Sequence, residues 1–480
     1  MVRAWPTDLP LIALTSGAGG EPGGGAQTGG GSVDAAATRW SRWSILAAAI
    51  ETVIHPVGAS AIDLLDAASA RRTKRHHPDI PFVGGWIGSI GYELAAAIEP
   101  TAITAQRHSP HQASLSEREA NGVKAVSPAV PPEVITRKGP WSTDPERPKL
   151  PARHTGIELA RCPGAFVHDG LNGKWYAVGD TTALPHIHPR AGSALTAAAD
   201  TWTAGPLRSR TGREAYEHAV ARVVELIHAG DIFQANIAHQ LAATFEGSRR
   251  ALFLDLLAAT RPWYGSLIEG TGKGAGAILS TSPELFLDID FISGSITTRP
   301  IKGTRPLAQA DELAASEKDA AELVMIVDLM RNDLGRVCSY GSVRVEEPRR
   351  IERHAGVAHG VATISGRLRD HVGLGDIIRA TFPPGSVTGA PKVRAMQVIN
   401  QFEPFARGAY CGAIGFISFC GRSAWNVAIR TATIDDGELV YPVGAGIVAD
   451  SDPAKEWEET LAKASAFARV LNRTREAAVV

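Results

Sequence analysis

Two spacings of apolar residues alternate along the chain and predict a mixture of helices and strands. Apolar residues recur at helical spacing over 213–231, and 232–245 then alternates in the manner of a strand. A short apolar run at 9–15 predicts an opening strand, while 409–419 and 424–434 predict two strands that could pair. Periodicity alone therefore indicates a mixed α and β fold.

The segment 322–334 is predicted to be a buried helix. Its apolar residues leave no clearly polar face, and a helix that is apolar all round is normally enclosed by the protein. Glu322 and Asp328 would then be carried inside, where a carboxylate needs a partner, a metal ion or a proton. A salt-bridged glutamate at the surface is the alternative.

The last predicted helix places three charged side chains in one stripe. Asp452 can cap this helix and Pro453 suits its first turn. At ~100° per residue, Glu456, Glu459 and Lys463 fall together beside the apolar face. The stripe could be a ladder of salt bridges or part of a site.

Lys302 lies between Pro300 and Pro306, and this segment predicts a rigid loop. A lysine held in one position can serve as a reacting group, although a surface lysine is the simpler reading. Arg299 and Arg305 are candidate cations that could lower its pKa.

Changes of composition along the 480 residues indicate how the chain is divided. We expect an N-terminal layer over 1–205 and a catalytic part over 206–472. Within the layer, the glycine-rich segment 16–32 predicts a flexible loop. The segment 100–155, rich in Pro, Ser and charge, predicts a poorly ordered insertion.

Charge and cysteine usage narrow the class of protein. The chain has 49 basic against 50 acidic residues, which gives no reason to expect a nucleic-acid partner. Four cysteines without C-x-x-C spacing predict free thiols in a reducing compartment. The sequence shows neither the apolar core of a signal peptide nor a stretch of membrane-spanning length. We therefore expect a cytoplasmic protein with no membrane partner.

Two glycine-containing motifs are superficially similar to nucleotide-binding sequences. Residues 383–392, PPGSVTGAPK, differ from a phosphate loop because Gly-Ala-Pro-Lys replaces Gly-Lys-Ser/Thr. Pro391 favours a helix start, so Ser386 to Ala390 would form an anion site suited to a carboxylate. The Gly444-x-Gly446-x-x-Ala449 motif opens no βαβ unit, which argues against a dinucleotide.

Three long motifs, in one order, resemble those of the chorismate-utilising enzymes: PIKGT at 300–304, EKDAAELVMIVDLMRNDLGRV at 317–337 and PPGSVTGAPKVRAM at 383–396. The similarity runs from about Gly84 to Leu471. The resemblance implies an α/β (α+β) fold, an antiparallel β-sheet sandwich with outer helices. Lysine in the first motif is typical of members that aminate chorismate at C4, whereas anthranilate-forming members carry alanine.

The resemblance also implies a reaction and its catalytic residues. Chorismate and ammonia would give 4-amino-4-deoxychorismate, on the route to p-aminobenzoate and folate. Lys302 would form a covalent intermediate and Glu284 would be the general acid. His359 would contact the reacting substrate, although a core histidine is equally expected. Gln234 stands where relatives that add water carry a lysine base, which argues against water activation.

Further site residues follow from the same resemblance. The substrate would be bound by a set of nine residues: Gly303, Thr304, Ser386, Tyr410, Arg430, Gly444, Ala445, Gly446 and Lys463. Arg430 would hold a chorismate carboxylate bidentately. Glu322 and Glu459 would bind Mg²⁺, with Asp319 and Glu456 as indirect or water-mediated ligands.

A second ligand and a partner protein complete the expectations. A tryptophan pocket would be formed by Ser16, Trp40, Ser41, Arg42, Trp43 and Tyr264, unless these aromatics only anchor the core. No Cys-centred glutaminase motif is visible, so a separate glutamine amidotransferase subunit would supply the ammonia. Two other functions stay open, an anthranilate synthase component and a non-catalytic paralogue that binds chorismate or tryptophan.

Overall fold

The structure, a computed structural model, describes most of the chain, namely residues 1–6, 9–16, 42–70, 79–104, 152–186, 201–270, 275–354 and 356–477. The predicted flexible loop at 16–32 and the predicted insertion at 100–155 lie almost wholly outside the described residues, as do Trp40 and Ser41.

The described residues contain twenty-two strands. In the first half of the chain they are β1 Leu11–Thr15, β2 Trp43–Ala48, β3 Glu51–His55, β4 Gly85–Ile90, β5 Ile157–Cys162, β6 Gly164–Asp169, β7 Lys174–Gly179, β8 Trp202–Ala204, β9 Arg208–Ser209 and β10 Gln234–Gly247. The later strands are β11 Tyr264–Glu269, β12 Ala277–Ser282, β13 Leu285–Asp290, β14 Ser295–Arg299, β15 Ile301–Pro306, β16 Arg344–Arg353, β17 Val357–Arg367, β18 Gly389–Ala390, β19 Ala413–Ser418, β20 Arg422–Val427, β21 Thr431–Asp435 and β22 Glu438–Ile447.

The helices are α1 Ala59–Ala70, α2 Ala95–Ile98, α3 Thr101–Thr104, α4 Ala152–Thr155, α5 Arg213–His228, α6 Arg249–Thr260, α7 Ala310–Ala315, α8 Glu317–Gly335, α9 Leu374–Thr381, α10 Lys392–Phe402 and α11 Pro453–Ala477. Short 3-10 turns lie at Val2–Ala4, Tyr92–Leu94, Thr181–Ala183, Leu307–Gln309 and Gly385–Val387. No described helix is both long and apolar enough to cross a membrane.

The strands form two large antiparallel sheets. The first sheet has the order β18-β10-β22-β21-β12-β11-β1-β2-β6-β7, with β8 and β9 also paired to β10. The second has the order β15-β17-β14-β13-β20-β19-β4-β5-β3, with β16 also paired to β17. Strands from both sides of residue 205 enter both sheets, and the predicted division into two parts stays a prediction.

The two sheets pack face to face, and helices cover their outer sides. An apolar cluster between the sheets joins residues of both, including Ile12, Ile45, Ile87 and Ile414. A second cluster places α8 and α9 against the other side of the second sheet, through residues such as Leu323 and Ile378. Further clusters join α5, α6, α10 and α11 to the first sheet. The predicted sandwich of antiparallel sheets with outer helices is confirmed.

Most elements predicted from periodicity are present at the expected places. The opening strand is β1, and the helix and strand predicted after residue 212 are α5 and β10. The run at 409–419 contains β19. The run at 424–434 is not one strand as predicted: it contains the end of β20, which pairs with β19, and the start of β21, which belongs to the first sheet. Alternation of apolar residues sufficed for β1, β10 and β19 because each of these strands buries at least one face.

The prediction that α8 is enclosed on all sides was wrong. Val324 is 63% exposed and Asp328 lies at the surface in an ion pair with Arg331. Glu322 is half-buried, whereas Leu323 and Ile326 are fully buried. The helix packs one face on the second sheet, and the abundance of apolar residues hid that orientation.

Candidate active site

Lys302 lies on strand β15, not on the loop that its flanking prolines predicted. The pairing of β15 with β17 is irregular between Ile301 and Thr304, and Gly303 within that interval has φ +78°. A Cβ at Gly303 would come within 2.7 Å of Leu313 and 2.9 Å of Asp319. Glycine is therefore needed there, and the resulting kink sets the direction of Lys302.

The amine of Lys302 reaches the other sheet. A Cβ atom on Gly446, in β22, would lie 3.0 Å from Lys302 Nζ and 3.0 Å from Gln234 Nε2. Gln234 starts the neighbouring strand β10, is fully buried, and leaves both amide atoms without a hydrogen-bond partner in the described structure. Two polar groups from different sheets thus converge over a bare glycine. Unpartnered buried amides of this kind are ordinarily satisfied by a ligand or water.

Burial lowers the pKa of the Lys302 amine below its ordinary range. Glu322 opposes this shift, and Lys463 lowers the pKa further. The cations predicted from sequence for this role, Arg299 and Arg305, are each paired with a carboxylate. Arg299 forms a buried ion pair with Glu352, and Arg305 pairs with Asp319 at 3.0 Å.

Glu284 is a buried carboxyl group on the same side of the site. It directly precedes β13, its backbone N–H donates to Ser282 Oγ, and its carbonyl accepts from Val427. Burial raises the pKa of Glu284 to about 7. Weaker effects lower this pKa, namely hydrogen bonds from the Ser386 hydroxyl and the Ile301 backbone and the positive charges of Lys302 and Arg430. Near neutral pH the group can hold a proton and give it to a leaving group.

Ser386 belongs to a tightly packed turn before helix α10. The turn at Gly385–Val387 is buried, with Ser386 only 6% exposed, and Gly389–Ala390 pairs with the start of β10. Pro391 immediately precedes the helix, as the sequence indicated. The serine is therefore fixed near the helix start, with its hydroxyl on Glu284.

Arg430 projects a guanidinium that has no anionic partner in the described part of the chain. Its backbone has φ +51°, and its carbonyl accepts hydrogen bonds from Thr281 N and Oγ1 at 3.0 and 3.2 Å. Burial lowers the pKa of Arg430, while nearby Tyr441 and Glu284 favour its charged form. A half-buried, unpaired guanidinium is suited to a carboxylate ligand.

His359 and Tyr410 are both buried but have different surroundings. His359 Nδ1 lies 2.8 Å from Thr304 Oγ1, and its Nε2 has no partner in the described structure. Burial lowers the pKa of His359 well below its ordinary range, and Arg430 lowers it further, so the ring is neutral. Tyr410 packs near Arg407, 6.0 Å from the guanidinium to its ring centre. A contact of Tyr410 with substrate stays a prediction.

The charged stripe on α11 faces the site, as its spacing indicated. Asp452 caps the helix through Lys455 N, at 3.0 Å. Glu459 and Lys463 form an ion pair of 2.8 Å, and Lys463 Nζ donates to Gly444 O at 3.0 Å. Glu456 is buried and accepts from Ser451 Oγ at 2.6 Å. The stripe thus combines a local salt bridge with a contact to the glycine-rich end of β22.

The predicted metal ligands are only partly placed. Glu322 and Glu459, on different helices, both act on the charge of Lys302, so each lies near its amine. Asp319 is taken up by Arg305, and no group of three or more possible ligand side chains is arranged for a metal in the described residues. Two carboxylates nonetheless fit Mg²⁺, which takes few protein ligands and keeps several waters.

Three of the residues predicted for a tryptophan pocket lie in the wall of a cavity between the sheets. Arg42, Trp43 and Tyr264 line a space of about 390 Å³. Arg42 also pairs with Asp169 at 2.7 Å, while Ser16 donates its N–H to Ser44 and does not line the cavity. Whether this cavity takes an amino acid stays a prediction.

One buried ion pair near the site was not predicted from the sequence. Arg407 and Glu403 are almost fully buried and form an ion pair of 2.6 Å. Their i,i+4 spacing was visible in the sequence, but the strands that they contact are distant along the chain. Lys463 was predicted to bind the substrate, and its hydrogen bond to Gly444 was not foreseen.

Comparison with known proteins gives a consistent result. The family model described as chorismate binding enzyme matches residues 142–469. "Aminodeoxychorismate synthase component 1" of Escherichia coli (strain K12) is 36% identical over 85% of this chain and 81% of its own length. "Anthranilate synthase component 1" of Streptomyces coelicolor is 34% identical over 88% of this chain and 80% of its own length.

A solved structure shares the fold. The structure of anthranilate synthase component I from Streptococcus pneumoniae TIGR4 matches with a TM-score of 0.69 at 24% identity. The match covers 93% of this chain and 95% of the chain in that structure. On the extent of the family match and the identity to these relatives, the chain belongs to the chorismate binding enzyme family.

Proposed function

We propose that this protein converts chorismate and ammonia to 4-amino-4-deoxychorismate. The observation that carries the proposal is the amine of Lys302, held between the sheets against Gly446 and lowered in pKa by burial. An amine that is neutral near physiological pH is nucleophilic, whereas its protonated form is not. The similarity to relatives named aminodeoxychorismate synthase component 1 supports the same reaction.

The first half-reaction forms a covalent intermediate. The Lys302 nitrogen attacks C2 of the ring, the double bond shifts, and the bond from C4 to its oxygen breaks. Protonated Glu284 gives its proton to the departing oxygen, which leaves as water. Burial supports this role because it keeps the carboxyl protonated up to a pH of about 7.

The second half-reaction reverses the shift of the double bond. Ammonia attacks C4, the electrons return toward C2, and the bond to Lys302 breaks. The amine is regenerated, and the proton lost by the incoming nitrogen restores the acid form of Glu284. Two displacements of moderate difficulty replace one in which ammonia would expel a poor leaving group directly.

Substrate binding is assigned to groups that surround these two side chains. Arg430 would take one carboxylate of chorismate, because its guanidinium is otherwise unpaired in the described structure. Neutral His359 lies near Arg430, and its Nε2 has no hydrogen-bond partner in the described structure. The backbone at Gly444 and Gly446 would allow the ring to approach closely, since neither residue carries a side chain.

Mg²⁺ is assigned to Glu322 and Glu459, with Glu456 and Asp319 acting through water or hydrogen bonds. When bound, the ion would neutralise and orient a carboxylate of the substrate. Lys463 would then balance the remaining negative charge of Glu459, to which it is paired.

The ammonia would come from a separate glutamine amidotransferase subunit, and another enzyme would release p-aminobenzoate. We place the reaction in the cytoplasm, which agrees with four buried free cysteines. The cavity at Arg42, Trp43 and Tyr264 is of a size and lining suited to a tryptophan ligand.

A product assay tests the proposed reaction against anthranilate formation, its nearest alternative. The protein is incubated with chorismate, ammonium and Mg²⁺, with and without an aminodeoxychorismate lyase. We expect p-aminobenzoate only when the lyase is added. Fluorescent anthranilate formed without the lyase would refute the proposal, and absence of any turnover would favour a binding paralogue.

A further inference from the structure

Arg407 is a buried arginine whose donors are all directed at fixed groups. Its Nε and Nη2 donate to the two carboxylate oxygens of Glu403, at 2.8 and 2.6 Å. Its Nη1 donates to Val387 O at 3.0 Å, and its Nη2 also donates to Asn236 O at 2.7 Å. Arg407 is only 3% exposed, so water does not compete for these bonds.

The groups around Arg407 are themselves anchored. Glu403 Oε1 accepts from Ala238 N at 2.8 Å, in the same strand as Asn236. Glu93 accepts from the backbone N–H of Arg407 at 2.7 Å. Arg407 is therefore held at two places. Glu403 binds its guanidinium, and Glu93 accepts a hydrogen bond from its backbone N–H.

Arg407 joins β10 to the turn that carries Ser386. Val387 directly follows Ser386, and Asn236 N in β10 donates to Thr388 O, just after the turn, at 2.8 Å. The hydroxyl of Ser386 in turn hydrogen-bonds Glu284. A continuous chain of contacts thus runs from Arg407 through the turn to the carboxyl group that acts as the acid.

We propose that Arg407 is a positioning residue for Glu284, acting by holding the Ser386 turn against β10. The inference rests on the proposed function, since it concerns the acid of that reaction. In the described structure Arg407 forms no hydrogen bond or ion pair with Glu284. Its effect on chemistry passes through the hydroxyl of Ser386.

A lysine could not replace Arg407 in this role. The planar guanidinium reaches a carboxylate and two carbonyl oxygens in different directions, whereas an ammonium group is a single point of donation. After Arg407→Lys the Val387 carbonyl would lose its donor, and the turn would be free to move. The hydrogen bond from Ser386 lowers the pKa of Glu284, so its loss raises that pKa.

The test compares pH profiles of kcat with saturating ammonium for the wild type, Arg407→Lys, Ser386→Ala and the double variant. We expect both single variants to lower kcat about 10-fold or more. The fall of kcat at high pH, the limb assigned to deprotonation of Glu284, should move to higher pH. The double variant should fall within about 2-fold of the weaker single variant, because both changes remove one contact.

Arg250→Lys is the matched control. Arg250 is also largely buried, pairs bidentately with Glu269 and donates to the backbone carbonyls of Trp5, Pro6 and Leu9. It holds the N-terminal segment and not the Ser386 turn. We expect lower thermal stability for Arg250→Lys with an unchanged pH profile, which separates positioning from general loss of packing.

Three results would overturn the inference. These are an unmoved limb in folded Arg407→Lys, multiplicative losses in the double variant, or the same shift in Arg250→Lys. If Arg407→Lys does not fold, Glu403→Gln replaces it, and an unmoved limb there is equally contrary. Failure of the proposed function is distinct, because the wild type itself would then make no product with ammonium.

Discussion

Lys302 and Gly446 face one another across the junction of two sheets, so that a Cβ atom added to Gly446 would lie 3.0 Å from Lys302 Nζ. Lys302 comes from β15 of the second sheet, and Gly446 comes from β22 of the first. The fold therefore brings the reacting amine against a backbone position that carries no side chain of its own. A planar ring can lie there against the backbone, within reach of the amine.

Gly446→Ala should disturb this arrangement directly. The new methyl group would crowd both Lys302 Nζ and Gln234 Nε2 and push the amine from its position. We expect kcat to fall about 10- to 100-fold, since small displacements of reacting groups are costly, with little change in melting temperature. Steady-state kinetics with ammonium measure the effect. Gly335→Ala, where an added Cβ meets no atom within 4 Å, should keep normal activity.

Glu284→Gln should lose activity and gain stability at alkaline pH. The folded protein holds a proton on Glu284 up to about pH 7, whereas the unfolded chain releases it near 4.5. The contribution of this group to the free energy of unfolding therefore falls as the pH rises between these values, and the full cost in stability is present above pH 7. Glutamine removes that cost, on the order of 1–3 kcal/mol, but cannot donate the proton.

Thermal unfolding at pH 5 and pH 8 measures this difference. The stability gain of Glu284→Gln over the wild type should be larger at pH 8. An equal difference at both pH values would mean that Glu284 does not hold a proton in the folded protein.

The sequence predicted more of the fold than of the contacts within the site. Periodicity located α5 and β10 because each presents a regular buried pattern. It failed for Asp328, since the many apolar residues of α8 do not reveal that Val324 faces water. Only the folded chain shows that Lys463 approaches Gly444, because these residues belong to different elements and no local pattern records their pairing.

Lys463→Met should move the rising limb of the pH profile to higher pH. Lys463 lowers the pKa of Lys302, so its removal lets the amine keep its proton to a higher pH. Activity at low pH should therefore fall more than activity at high pH. Lys455→Met, on the exposed side of the same helix, is the control and should leave the limb in place. A rising limb that shifts in neither variant would contradict the role given to Lys463.

Glu322→Gln and Glu459→Gln should weaken magnesium binding in the presence of chorismate. Each removes one of two carboxylates assigned to the ion, and we expect at least about a 10-fold loss of affinity. Calorimetric titration with Mg²⁺ measures this loss. Glu458→Gln, whose side chain pairs with Arg213 on the outer side of α11, should bind Mg²⁺ normally. Unchanged affinity in both site variants would place the ion elsewhere.

The covalent role of Lys302 is tested most directly by intact-mass analysis of the protein with chorismate and Mg²⁺ in the absence of ammonia. The account predicts an adduct with the mass of chorismate less one water, which disappears on addition of ammonium and does not form in Lys302→Ala. An active wild-type enzyme that shows no adduct, or a Lys302→Ala variant that still forms it, would contradict the account.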